Sequence, residues 1–235
     1  MVYIFFPGKA NKLSIDMNSL RNAFGYLILL SSVFITSCTG GMKDIDGNIY
    51  SSIKVRNQVW SQQNLKVSRF RNGDSIPEVS SKEEWARYTA EGKPACCTVM
   101  NEPQNGVKYG KLYNWFAVND PRGLAPKGWH IPTDDEWTRI TNAYGGSIMA
   151  AMNMRVSSDG NGKDDHSKAG FCGLPSGARD GMGEFFGMAS YGYWWSSTEA
   201  MDTVAWMRVL SYIDCSVNFL HYQKGCGLSV RCVKD

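Results

Sequence analysis

Cysteines, histidines and a few carboxylate clusters carry most of the chemistry this chain has to offer. Of seven cysteines, six follow Cys38: Cys96, Cys97, Cys172, Cys215, Cys226 and Cys232. None forms a Cys-x-x-Cys pair and no paired histidine spacing accompanies them, so no zinc site is expected. In an exported chain such an even set predicts disulfides. Placing Tyr222 to Gly225 in a turn sets His221 opposite Cys226 and, in the same register, Cys215 opposite Cys232. At least one bridge is therefore expected at Cys232, with Cys215 or one of Cys96 and Cys97 as partner. The connectivity stays open.

The three histidines, His130, His166 and His221, offer little general-base material, and no Gly-x-Ser-x-Gly elbow supports a triad around any of them. Asp134, Asp135 and Glu136 read as the opening of a helix before they read as a glycosidase pair. Asp44-x-Asp46-Gly47-Asn48 looks faintly like a calcium loop but lacks the closing glutamate, and reads as a turn entering a hairpin. Residues 157–168 form a polar loop whose Asp159, Asn161 and Asp165 carry ligand-type oxygens around Lys163; a solvated loop is the expectation, with a weak calcium site left open. No catalytic residue, metal or cofactor is expected. The remaining chemistry is aromatic. Eight tryptophans and eleven tyrosines serve cores and sugar-stacking faces alike, and Trp194, Trp195 and Trp206 are the candidates for the second role.

The elements that must position these groups can be read locally. Ser81-Lys82-Glu83-Glu84 is a capping box opening a short helix with Trp85 and Tyr88 or Thr89 on one face, ended by Gly92. Thr133 to Glu136 is a second box, followed by an apolar stripe at Trp137, Ile140 and Tyr144 and a stop at Gly145-Gly146. Leu112 to Val118 is apolar enough to predict a buried helix. Strands are predicted at Ile49-Tyr50, Ile53 to Val55 and Val59-Trp60, and later at Tyr193 to Thr198, Ala205 to Leu210, Ser216 to Phe219 and Leu228 to Val233.

Residues 24–38 form an apolar run too short to span a membrane that ends at Ile35-Thr36-Ser37-Cys38, small residues and a cysteine. The tetrapeptide resembles the lipobox of bacterial lipoproteins, which implies cleavage before Cys38 and lipidation of that residue. A start at Met17 gives a conventional n-region, whereas Phe5, Phe6, Pro7 and Asp16 do not. The expected organisation is a signal segment over 1–37, a lipidated cysteine and tether over 38–43, and one domain over 44–235. Loss of residues 1–37 removes Lys9, Lys12, Arg21 and Asp16, so the net charge of +3 falls by two. A near-neutral domain without a basic stripe argues against nucleic acid as a partner.

Six separated segments carry a further likeness. They are Asp46 to Tyr50, Val59 to Leu65, Tyr109 to Trp115, Leu124 to Thr133, Gly192 to Ser197 and Ser229 to Cys232. In this order they resemble the Fibrobacter succinogenes major paralogous domain family, whose members are exported and often lipidated; the resemblance implies no catalytic residue. Pro132-Thr133-Asp134-Asp135-Glu136-Trp137 and the ending Gly227 to Cys232 are similar to segments of the formylglycine-generating, sulfatase-modifying family. That likeness implies an α+β, C-type-lectin-like fold, a small twisted and mostly antiparallel sheet with packed helices and long loops. The chemistry of that family needs a close pair of thiols to hold copper. Here Cys215 and Cys226 stand in that stretch with ten residues between them. Calcium-dependent lectins of the same fold carry a Glu-Pro-Asn triplet where this chain has Glu102-Pro103-Gln104. The expected function is therefore non-enzymatic: a cell-envelope protein, held by lipid at the outer membrane with its face undetermined, binding an extracellular glycan or a cell-surface macromolecule. A formylglycine-type oxidase and a purely structural or adhesin component are the alternatives.

Overall fold

The computed structural model describes residues 41–155 and 170–235. Cys38, the signal segment, His166 and the 157–168 loop lie outside the described residues. In chain order the elements are β1 (Met42–Lys43), β2 (Ile49–Tyr50), β3 (Ser52–Val55), β4 (Gln58–Ser61), α1 (Lys82–Ala90) and β5 (Cys96–Thr98). Then come α2 (Pro103–Tyr109), β6 (Lys111–Tyr113), α3 (Trp115–Val118), β7 (Trp129–His130), α4 (Asp134–Ala143) and α5 (Ser147–Met154). The late part is β8 (Ala178–Arg179), β9 (Phe185–Phe186), β10 (Tyr191–Met201), β11 (Val204–Ser211), β12 (Val217–Gln223) and β13 (Val233–Lys234). Helices and antiparallel ladders mix along the chain, an α+β architecture.

Local signals explain most helix ends. Thr133 closes a complete capping box: its hydroxyl accepts the Glu136 N–H and the Glu136 carboxylate accepts the Thr133 N–H. At Ser81 only half the box forms, because the Glu84 carboxylate turns to Arg87 at 3.2 Å. The predicted buried helix over Leu112 to Val118 is instead a strand followed by one helical turn. Asn114 divides them. Its side-chain oxygen accepts the N–H groups of Ala117 and Ala95, and its amide donates to Lys93, so it caps one element while closing another.

Two sheets dominate. One is ordered β10-β11-β12; the other is ordered β3-β4-β13-β7, and every named strand pair is antiparallel. The expected hairpin between Ser216 to Phe219 and Leu228 to Val233 does not form. β12 pairs with β11, Trp206 facing His221 and Leu210 facing Val217. The segment 227–233 instead spreads its bonds over Arg179, Tyr113, Trp194, Trp60 and His130.

That register also removes the predicted bridge. Cys215 lies in the turn before β12, its sulfur 3.2 Å from an Arg155 guanidinium nitrogen. Cys232 is fully buried and donates its N–H to Ser61 Oγ beside β4. Cys96 and Cys97 alternate on β5 and enter different core clusters. Cys96, Cys97, Cys215, Cys226 and Cys232 are thiols.

The core is aromatic and is stitched by two buried arginines. Trp60, Trp137, Phe171 and Trp194 pack with ring centroids 4.8–6.3 Å apart. Arg231 lies over Phe171 at 4.4 Å and donates to Asn64 Oδ1, the Ser61 and Phe171 carbonyls and the Cys172 carbonyl, at 2.6 to 3.0 Å. Burial with neutral acceptors pulls its pKa down to about 10. Arg179 lies over Trp85 and donates to the carbonyls of Gly183, Val79, Ser80 and Ser81. A planar fork with five donors suits this collection of carbonyls.

Candidate functional site, an aromatic groove on the late sheet

Strands β10 to β12 place one aromatic cluster in contact with solvent. Period-two alternation puts Tyr193, Met207, Leu220 and Tyr222 on one face of this sheet. β9 lays Phe186 over that face, 5.5 Å from the Tyr193 ring and 6.3 Å from the Tyr222 ring. These side chains and Leu228 line a cavity of about 600 Å³, which Trp206, Phe219 and His221 border from the opposite face of the sheet, where the register puts their side chains. Trp206 and His221 are cross-strand partners with ring centroids 5.7 Å apart and near-perpendicular planes. Phe186, Tyr193, Trp206 and Tyr222 are half-buried. Phe219 and Leu220 are 67% and 50% exposed, an unusual display of apolar surface for one strand.

The groove is held open by backbone geometry. Gly177 sits at φ +66 with its N–H bonded to the Tyr191 carbonyl; a Cβ there would fall 2.4 Å from the Phe186 oxygen. Only glycine lets the chain pass so close to the segment that carries Phe186. Electrostatically the groove is neutral. Burial pushes the Tyr193 phenol up to about 12 and raises Tyr222 as well, so both are protonated hydroxyls available as hydrogen-bond donors. The nearby charges are already engaged: Lys224 binds Glu199 and the Asp202 carbonyl, and Arg208 binds Asp134.

The predicted site residues separate here. Trp206 borders the cavity, with its ring on the opposite face of the sheet beside His221. Trp194 and Trp195 do not: they are 1% and 0% exposed, because β10 is covered on both faces. Their indole N–H groups are spent on Asn64 Oδ1 and on the Tyr113 carbonyl, so neither ring can offer a face to a ligand. Sequence reasoning missed Phe186, Tyr193 and Tyr222. The i, i+2 repeat of Tyr191 and Tyr193 was the available signal, two aromatics on one side of a strand.

Other carboxylates and thiols are committed locally. Asp44 accepts from Asn48 and from the Tyr50 hydroxyl, and Asp46 from the Ser68 N–H and Arg69, which makes this a hydrogen-bonded turn entering the β1-β2 hairpin. His130 has Asp235 Oδ1 2.7 Å from Nδ1 and Glu136 oxygens 2.9 and 3.0 Å from Nε2. Burial alone would lower its pKa, but the hydrogen bonds to Asp235 and Glu136 outweigh it and the net shift is upward. Cys215 precedes β12 and Cys226 follows it; an extended strand of seven residues, about 23 Å at ~3.3 Å per residue, separates them. That spacing does not bring two thiolates onto one copper ion. Among the described residues no group of His, Cys, Asp and Glu is arranged to hold a metal, and no helix is long and apolar enough to cross a membrane.

Comparison with known proteins gives one match. The family model for the Fibrobacter succinogenes major domain matches residues 53–234. No curated protein and no solved structure matches the chain.

Proposed function

Because the chain belongs to the Fibrobacter succinogenes major domain family, we propose that it is a lipid-anchored cell-envelope protein whose domain binds an extracellular glycan in the aromatic groove of the late sheet. The observation that carries this reading is the open cavity of about 600 Å³ walled by Phe186, Tyr193 and Tyr222 and bordered by Trp206, in a chain whose tryptophans at 194 and 195 are packed inside. Half-buried aromatic rings beside neutral phenol donors suit the C–H faces and hydroxyls of a sugar ring. Binding without calcium fits the engaged carboxylates of Asp44 and Asp46. The C-type-lectin-like assignment of the fold is part of the same proposal; the short antiparallel sheets, the Thr133 box and the Gly227 to Cys232 ending support it. Non-enzymatic action is supported by the separation of Cys215 from Cys226.

The anchor rests on the Ile35-Thr36-Ser37-Cys38 sequence. Cys38→Ala should abolish incorporation of labelled fatty acid and leave unprocessed precursor; an unlipidated wild-type protein refutes that half of the reading. For the groove, a glycan array run with and without calcium should return a ligand whose affinity falls about tenfold in Tyr193→Ala, the loss of one stacked aromatic at ~1.4 kcal/mol. The same glycan should bind Asn105→Ala, a change outside the cavity lining, unaltered. Binding indifferent to Tyr193→Ala and Tyr222→Ala would place the ligand elsewhere, and a hit confined to proteins would replace the glycan with another macromolecule.

A further inference from the structure

The core face of β4 carries a glutamine where alternation asks for an apolar residue. β3 and β4 pair with Ile53 opposite Trp60 and Val55 opposite Gln58, so these four side chains lie on one face of the sheet. α4 covers that face: Ile53, Val55 and Trp60 share a core cluster with Trp137, Ile140 and Ala143. Gln58 stands at the end of this packing, and its Nε2 is buried with no hydrogen-bond partner. A buried donor without an acceptor is costly, and native structures hold few of them.

The groups around that amide are donors of one character. Gln58 lines a cavity of about 430 Å³ together with Arg56 and Asn57 of the β3-β4 turn and Arg139 and Asn142 of the last turns of α4, and no Asp or Glu lines it. Neither guanidinium has an ion pair, hydrogen bond or ring contact among the described residues. Arg122, Arg179, Arg208 and Arg231, by contrast, are each committed to carboxylates or carbonyls. The acids of α4 stand in its first turn, at the other end, where Arg208 and His130 engage Asp134 and Glu136. The carbonyls that close α4 are taken as well: Ile140, Asn142 and Thr141 accept the N–H groups of Tyr144, Gly145 and Gly146. Arg56 is also strained. It is the first residue of a two-residue turn and stands at φ +52, a conformation that glycine takes freely and a β-carbon disfavours. Strain of this kind is typical of functional positions, and here no contact within the chain compensates it.

We propose that this cavity binds an oxyanion, a sulfate, phosphate or carboxylate group seated between Arg56 and Arg139 and accepting from the Gln58 amide. A guanidinium fork matches the paired oxygens of such a group. The amide has no partner to give up, so turning it to the anion breaks no bond. No residue lines both this cavity and the aromatic groove, so the site is a second one.

The test is titration calorimetry of the full chain in detergent with sodium sulfate, sodium phosphate and sodium glucuronate, each against sodium chloride at matched ionic strength. Saturable one-to-one binding is expected in at least one arm, and the tightest arm tells an inorganic ion from a carboxylate carried on a sugar. Arg139→Gln should raise the dissociation constant roughly tenfold or more, the loss of one charge-assisted pair. Arg56→Gly removes the other guanidinium and relieves the turn, so it should weaken binding as much while melting no lower than wild type. Gln58→Leu should melt higher without anion and bind the anion more weakly, an opposition that a purely structural glutamine would not give. No saturable binding in any arm, heats that sodium chloride reproduces, or affinities unchanged in both arginine variants would overturn the proposal. None of these outcomes depends on glycan binding in the groove.

Discussion

Replacing Gly177 with alanine should cost far more than replacing Gly47, although both glycines lie in the left-handed region, at φ +66 and +86. A β-carbon in that region costs roughly 1–2 kcal/mol. At Gly47 nothing lies within 4 Å of the new atom, so that cost is the whole effect. At Gly177 the atom would sit 2.4 Å from the Phe186 oxygen, 2.6 Å from the Met188 nitrogen and 3.0 Å from the Met188 Cα. All three are backbone, so no side chain can swing away. Overpacking of this kind adds about 1–3 kcal/mol. The totals are about 1.5 kcal/mol for Gly47→Ala and about 3.5 kcal/mol for Gly177→Ala. In a domain of this size each kcal/mol moves the melting temperature by about 2–4 °C, giving shifts near 4 and 10 °C. Scanning calorimetry on both variants measures the difference directly. Any relief at Gly177 must push the Phe186 segment outward, so ligand affinity at the groove should fall in that variant alone. Equal melting temperatures for the two variants would refute the argument from backbone contact.

Two further outcomes follow from the side-chain environments. His130 gains stability from Asp235 and Glu136, and because its pKa is raised this gain is complete below its ordinary value of 6.5 and lost as pH rises through the shifted one. For Glu136, burial works against the Thr133 and His130 hydrogen bonds but the net pKa is lowered, so its gain holds above 4.5 and is lost as pH falls through the shifted value. His130→Gln should therefore destabilise most between those limits, by no more than about 1 kcal/mol because the cluster is partly exposed, and denaturant titrations at several pH values would show a flat difference if this is wrong. Thiol labelling of the native protein should modify Cys215 and spare Cys96, Cys97, Cys226 and Cys232, whose thiols burial pushes up to about 12, 11, 12 and 12; a disulfide at Cys232 in peptide maps contradicts this.

What could be read from the residues was what they decide locally. The Thr133 box, the Trp137 and Ile140 stripe and the strand character of 193–198 and 205–210 depend on neighbours a few residues away, and all are present. Asn114 shows the limit. An asparagine inside an apolar run looks tolerable in a buried helix, yet here its amide closes contacts to Lys93 and Ala95, which no local pattern reveals. Pairing was less legible still. Leu228 to Val233 alternates as a strand should, but its partners lie on five different segments, so adjacency in sequence pointed to the wrong ladder and to the wrong cysteine partners. The groove was half visible. Three tryptophans of similar composition stand on β10 and β11, and only the layer packed over each face decides which one meets solvent.

The placement of β13 bears on how the chain reaches its fold. This strand lies between β4 and β7, and next to it Cys232 bonds to Ser61 across 171 residues while Arg231 gathers the carbonyls of Ser61, Phe171 and Cys172. A chain emerging from a ribosome holds β4 ready with its central neighbour still unmade. The four-stranded sheet has no stable precursor built from its early strands alone, and its closure waits on a long loop search. Folding is thereby postponed until nearly the whole domain has emerged.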